Sequence, residues 1–296
     1  GAHDYPAGVP RHRVTEPAQP LVAPVLVAAF DGWVDASAAA TAAAEAIAGD
    51  GEVVVSFDPD DLYDYRSRRP VLDIVDGTMR QLVWPDLAIR RARHGGRDLL
   101  VLTGPEPDFR WRELGADLAA VARRFGVVEW LSLGAVPGAV PHTRPVQLLA
   151  TQSAPGLLRS GESAGPPGLL RVPSAALSAL ESIANDHAIP SVGYYAQIPH
   201  YVGGPFAPAT IALLEAAGRH LGVTFAAEEL REEAAGQRER LDRAVAADDD
   251  SRAYVERLES AVETEEPVIP SGDELAQEIE RFLRGESGDE PGRSGR

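Results

Sequence analysis

The residues able to do chemistry gather in short polar segments, each following an apolar run of strand length. AFDGWVDAS carries Asp31 and Asp35, and FDPDDLYDYRSRRP carries Asp58, Tyr63, Arg66 and Arg68. TGPEPDFRW follows a third run, AVPGAVPHTRP supplies His142 and Arg144, and YYAQIPHYVGG supplies Gln197, His200 and Tyr201. In open α/β sheets, ligands collect at the carboxyl ends of strands, where these segments fall. The guanidinium groups of Arg66, Arg68 and Arg144 offer bidentate forks to an anion, and Tyr63 or Tyr201 offers a face for a flat ligand. In such a site Asp31 or Asp58 would orient a hydroxyl or a water, and His142 or His200 would move a proton.

Structural roles compete for the same residues. Asp35 or Ser37 is placed to cap the following helix, and Asp108 to cap one beginning near Phe109. Tyr63 and Tyr65 suit packing, while Arg66, Arg68 and Arg69 have Asp60, Asp61 and Asp64 beside them for a local ion network. His142 and His200 each follow a proline and read first as loop histidines with local hydrogen bonds. No two histidines have metal-site spacing, and neither a metal nor another cofactor is expected. Asp248, Asp249 and Asp250 lack the spacing and the glycine of a calcium loop, and read as a turn with negative charge at a helix start. GESAG, Gly161 to Gly165, matches the serine-hydrolase G-x-S-x-G pattern, yet two prolines follow and no strand feeds Ser163, so a nucleophile is not expected there.

Composition narrows the chemistry further. All 28 basic residues are arginine, which excludes the P-loop lysine, a Schiff-base amine and the nucleotide-holding lysine of kinases. With no cysteine there is neither disulfide nor thiolate site. A formal net charge of −17 argues against nucleic-acid and anionic-membrane partners. The opening Gly-Ala-His reads as a tag remnant, no signal pattern follows, and no apolar run reaches membrane-span length; the expected location is cytoplasmic.

The elements that must position these loops are legible in outline. Strands are expected at Pro24 to Phe30, Val53 to Phe57, Asp98 to Gly104, Val128 to Val136, Val146 to Gln152 and Ser191 to Gln197. Helices are expected at Ala36 to Ala48, Trp111 to Phe125 and Pro173 to His187. Strands apolar throughout, alternating with helices, indicate an α/β fold with a largely parallel or mixed sheet covered on both faces. The organisation reads as an N-terminal arm over 1–20, a core domain over 21–225, an acidic helical extension over 226–263, and a linker, short helix and tail over 264–296. Leu230, Ala234, Leu241 and Val245 mark one amphipathic helix of the extension, and Tyr254, Leu258, Ala261 and Val262 a second. Leu275, Ile279, Phe282 and Leu283 mark the tethered last one.

Taken in order, AFDGWVDASAAA, DLYDYRSRRP, GPEPDFRW, GAVPHTRP and YYAQIPHYV resemble the bacterial, actinobacterial branch of the proteasome assembly chaperone 2 family, over about Val25 to Leu221. The resemblance implies a three-layer α/β/α fold with a central mixed, largely parallel sheet, similar to the purine nucleoside phosphorylase-like fold, plus C-terminal helices. It further implies a homo-oligomer, with a trimer favoured, and a non-catalytic assembly or interaction role with a proteasome-related protein partner. Relatives that insert a tail into the proteasome ring end in a hydrophobic residue, a tyrosine and one more residue. Gly292-Arg293-Ser294-Gly295-Arg296 departs from that pattern. The alternative kept beside the interaction role is a site at the strand ends that binds or hydrolyses a phosphate-bearing or nucleoside-like ligand.

Overall fold

The computed structural model of the chain describes residues 12–162, 164–165 and 168–263. One eight-stranded sheet organises it, in the order β1-β3-β6-β7-β2-β8-β10-β9. The strands are β1 (His12–Val14), β2 (Val25–Asp31), β3 (Glu52–Phe57), β6 (Ala88–His94), β7 (Arg97–Pro105), β8 (Glu129–Gly138), β9 (Leu148–Gln152) and β10 (Ser191–Pro199). Its four central strands, β7, β2, β8 and β10, are parallel, and every pairing outside them is antiparallel.

Both faces of the centre are covered, which is why β2 can be apolar at consecutive positions. Alternate side chains point to opposite faces of a strand. Val25, Val27 and Ala29 accordingly join one core with helices α1 (Ala39–Ala48) and α5 (Ala207–Leu221). Leu26, Ala28 and Phe30 join the other with α3 (Trp111–Phe125) and α4 (Ala176–Asp186). These make the three layers. Helix α6 (Glu228–Ala246) packs on α5, and α7 (Asp249–Glu263) on α6. Among the described residues no helix is long and apolar enough to cross a membrane.

Four strands have no counterpart in the sequence reading. β6 carries Arg90, Arg91 and Arg93, which hides its period; it pairs with β3 and β7 on its two sides, buries Ala88, Ile89 and Ala92, and sets the Arg91 guanidinium 3.1 Å from the buried Asp98. Part of the expected N-terminal arm, β1, is an edge strand on β3. The last departure is a separate two-stranded ribbon, β4 (Val71–Val75) and β5 (Thr78–Val83), closed by Asp76 and Gly77. Both turn residues have positive φ, 51° and 73°, as the tight hairpin turn that matches strand twist requires. The short helix α2 (Pro59–Leu62) leads from β3 towards the ribbon.

Candidate functional site

The site residues expected from sequence fall into two groups at the carboxyl ends of the central strands. The first surrounds the end of β2. The loop after β3 crosses above β6 and β7, because the backbone N–H groups of Asp108 and Phe109 donate to Leu62 O at 2.9 and 3.1 Å. Tyr63 is buried there, with its hydroxyl donating to Pro105 O at 2.9 Å, so its ring packs in the core and is not a stacking face. Burial holds the Tyr63 hydroxyl well above the ordinary phenol range. Arg68 donates to the Asp31 carbonyl at 3.1 Å and lies 3.8 Å from the Asp31 carboxylate. The ion partners therefore differ from those expected inside the loop: Arg68 reaches Asp31, and Asp61 pairs with Arg110 at 3.4 Å. Arg66 is exposed.

Asp35 and Asp58 act on backbone. Asp35 Oδ1 accepts the N–H of Ala40 at 2.8 Å and Oδ2 the hydroxyl of Thr41 at 2.5 Å, fixing the start of α1. Burial raises the pKa of Asp35, partly offset by those hydrogen bonds. Asp58 caps α2 through Asp60 N at 3.1 Å. Asp108 does not cap α3; its Oδ2 instead accepts the N–H of Asp64 at 2.9 Å and so closes the loop. Glu106, unremarked in the sequence, holds two chain segments at once: it accepts Trp33 N–H and Ala176 N–H, each at 2.7 Å.

The second group lies where the loops after β8 and β10 meet α6 and α7. The His142 ring is buried, with Nδ1 2.7 Å from the Tyr201 hydroxyl and Nε2 3.1 Å from Asp242 Oδ1. That hydroxyl also accepts the His142 backbone N–H at 2.7 Å, so its own proton goes to Nδ1. Nε2 then carries the ring hydrogen and donates to Asp242. Burial pushes the imidazole below its usual range, consistent with this neutral tautomer, while Asp242 is held below the usual carboxylate range by Arg238 and by His142. Arg238 binds both Asp242 oxygens at 2.9 Å and the His142 carbonyl at 3.3 Å.

Carboxylate, imidazole and hydroxyl in a row have the connectivity of a nucleophilic triad. The electrostatics are those of a latch, since burial raises the Tyr201 pKa and a nucleophile needs the opposite. His200 works similarly: Nδ1 faces Gly138 O at 3.4 Å and Nε2 faces the Tyr254 hydroxyl of α7 at 3.1 Å. Thr143 donates to Glu259, also on α7. Gln197 donates to Gln147 Oε1 at 3.3 Å, and Arg144 is exposed on the His142 loop. Asp242, Tyr254 and Glu259 lie 54 to 116 residues from their partners, a separation with no local sequence signal.

Among the described residues, no group of three or more His, Cys, Asp or Glu side chains is placed to hold a metal ion. Ser163 of the GESAG segment and the expected helix over Leu275 to Leu283 lie outside the described residues. The strand nearest before Ser163, β9, ends at Gln152.

Comparison with known proteins gives these features a family. The PAC2 family model matches residues 29–245. A Mycobacterium tuberculosis protein of unknown function, Rv2714, is 31% identical, with a TM-score of 0.80 over 93% of this chain and 99% of its own. The M. tuberculosis proteasome-assembly chaperone homologue Rv2125 is 33% identical, with a TM-score of 0.72 over 78% of this chain and 99% of its own. A protein of unknown function from Corynebacterium glutamicum is 27% identical, with a TM-score of 0.80 over 86% and 97% of the two chains. No curated protein matches. The chain belongs to the PAC2 family.

Proposed function

We propose that this protein is a non-catalytic, homo-oligomeric assembly or interaction protein, with a trimer favoured, whose partner class is that of the proteasome assembly chaperones it resembles. The observation that carries the reading is the β4–β5 ribbon: every residue of both strands is exposed, among them Val71, Leu72, Ile74, Met79 and Leu82. A lone two-stranded ribbon is marginal in water, and apolar surface of this kind marks a protein contact. The histidines support the reading from the other side, because both ring nitrogens of His142 and of His200 already face structural partners.

The test mixes the purified chain with purified actinobacterial proteasome α and β subunits and reads stoichiometry by native mass spectrometry. A complex with free subunits supports the reading. No complex, together with a thermal shift by phosphate, a nucleoside or a sugar phosphate that Arg144→Ala abolishes, would replace it with the small-molecule site. A ligand at about a hundred times its dissociation constant adds roughly 2.7 kcal/mol, well within reach of that assay.

A further inference from the structure

Leu275, Ile279, Phe282 and Leu283 are spaced i, i+4, i+7 and i+8, so on a helix their side chains form one apolar stripe. Acidic residues accompany the stripe: Asp273, Glu274, Glu278 and Glu280 outnumber Arg281 and Arg284. The segment, 273–284, lies outside the described residues. A helix this short is marginal in water by itself and gains its stability by packing the apolar stripe. On a chain of net charge −17, an acidic segment is repelled by most of the surface. A surface that receives it must therefore be both apolar and locally basic.

The groove between α3 and α4 meets both conditions. Its volume is about 590 Å³, and Trp111 and Arg112 wall it on one side, Ser178, Ser182 and Ile183 on the other. A groove of that size takes a few side chains rather than a whole helix, as a helix laid along it requires. Exposed apolar residues extend its mouth: Phe109 ahead of α3, and Leu169, Leu170 and Val172 ahead of α4. Arg110, Arg112 and Arg171 stand on or beside it against Glu113, and all three arginines are exposed. The groove is also preformed. Glu106, ahead of α3, accepts the N–H of Ala176 at the start of α4 at 2.7 Å and so sets the mouth. Further along, a Cβ at Gly115 would stand 2.6 Å from Ile183 Cδ1, which is how closely the two helices approach.

We propose that the occupant is segment 273–284 of the same chain, its apolar stripe laid in the α3–α4 groove and its carboxylates beside Arg112 and Arg171. The chain is long enough. α7 ends at Glu263, and the eleven residues from Thr264 to Glu274 span at most about 36 Å. α7 is held at the carboxyl ends of β8 and β10, through Thr143 to Glu259 and His200 to Tyr254. The groove opens at the same end of the sheet, where α3 follows β7, and β7 and β10 are three strand spacings or about 14 Å apart. Docked there, the segment covers the apolar mouth and occupies a surface that an acidic, apolar segment of another protein would otherwise take. The contact lies within one chain, so it stands or falls independently of the oligomer and the partner proposed above.

The chain has no cysteine, so introduced thiols report the contact without background. In the full-length chain, Ala276→Cys is combined with Ser182→Cys and, separately, with Ser174→Cys, and each pair is oxidised with copper phenanthroline. Ser287→Cys with the same groove thiols measures what any tethered thiol gives. The contact predicts a disulfide within one chain that forms at least tenfold faster from position 276 than from position 287, with at least one of the groove thiols. Equal rates for both groove thiols, or linkage only between chains, overturns it. Hydrogen exchange on the full-length chain gives an arm that does not depend on thiol placement. Amides of 275–283 should exchange at least tenfold more slowly than those of 287–296, and Arg112→Glu with Arg171→Glu should remove the difference. Both arginines are exposed, so the fold measured by circular dichroism stays. Equal exchange of the two stretches in the wild type overturns the contact, as does slow exchange that survives both charge reversals.

Discussion

The His142 imidazole and the Tyr201 hydroxyl lie 2.7 Å apart, and that hydroxyl also takes the His142 backbone N–H. One oxygen therefore satisfies two groups of a buried residue. Tyr201→Phe removes it and leaves both without a partner, for a loss of about 1–3 kcal/mol in urea unfolding. Asp242→Asn acts on a carboxylate whose side chain is about half exposed, and its cost is within about 1 kcal/mol. Equal losses for the two variants would contradict the assignment of the hydroxyl as the central acceptor.

The same latch gives a pH dependence with a definite sign. The folded state holds His142 neutral, with its pKa below the unfolded value of 6.5, so the unfolded chain binds more protons. The stability His142 contributes is complete above pH 6.5 and is lost as pH falls through the lowered folded value. Asp242, lowered from 3.8, adds a loss in the same direction in stronger acid. His142→Asn is therefore expected to flatten the fall in melting temperature between pH 7.5 and 5. A variant whose profile stays parallel to the wild type's over that window would show that the imidazole is not held neutral.

Glu181 should show the opposite slope. Its buried carboxylate accepts the Ser132 and Ser191 hydroxyls at 2.6 and 2.9 Å, while Trp130 Nε1 donates to Ser132 Oγ at 2.9 Å. Burial outweighs those hydrogen bonds and raises the pKa from 4.5. A carboxyl raised on folding stabilises most below its unfolded value and loses that contribution as pH rises through the folded one. Glu181→Gln removes this slope, so its stability relative to wild type improves from pH 4.5 upward. Chemical denaturation at three pH values checks it; a constant difference would mean that Glu181 titrates alike in both states.

Close approach makes Gly32 hard to replace. A Cβ at that position would stand 2.2 Å from Glu106 Oε2 and 2.4 Å from Glu106 Cβ. Gly32→Ala must then displace the carboxylate that holds Trp33 N–H and Ala176 N–H. The expected cost is about 1–3 kcal/mol, and Glu106→Ala should produce a loss of the same size. The double variant tests the coupling: if Gly32→Ala costs as much on the Glu106→Ala background as alone, Glu106 is not what the glycine makes room for.

What could be read from the sequence follows a physical division. The central strands and α3 announce themselves because a strand covered on both faces is apolar throughout and a half-buried helix is periodic. β6 does not, since Arg90, Arg91 and Arg93 fall among its buried apolar residues and break the pattern, and the partner that lets Arg91 be partly buried, Asp98, lies on the neighbouring strand. The ribbon carries a legible mark in Asp76-Gly77, the turn that two-residue hairpins favour, but its strands have no buried face to set an alternation. At the candidate site the loops after the strands were legible, as was the capping role of Asp35. Their partners were not: which carboxylate meets His142 depends on how α6 lies across the sheet ends, and Asp242 is 100 residues away.

The central claim is that the protein works through protein contacts and begins with its own copies. Sedimentation equilibrium of the wild-type chain across a hundredfold range of concentration tests it most directly. A mass of a whole number of chains, two or more, with three favoured, is the predicted result. The mass of one chain at every concentration would contradict it.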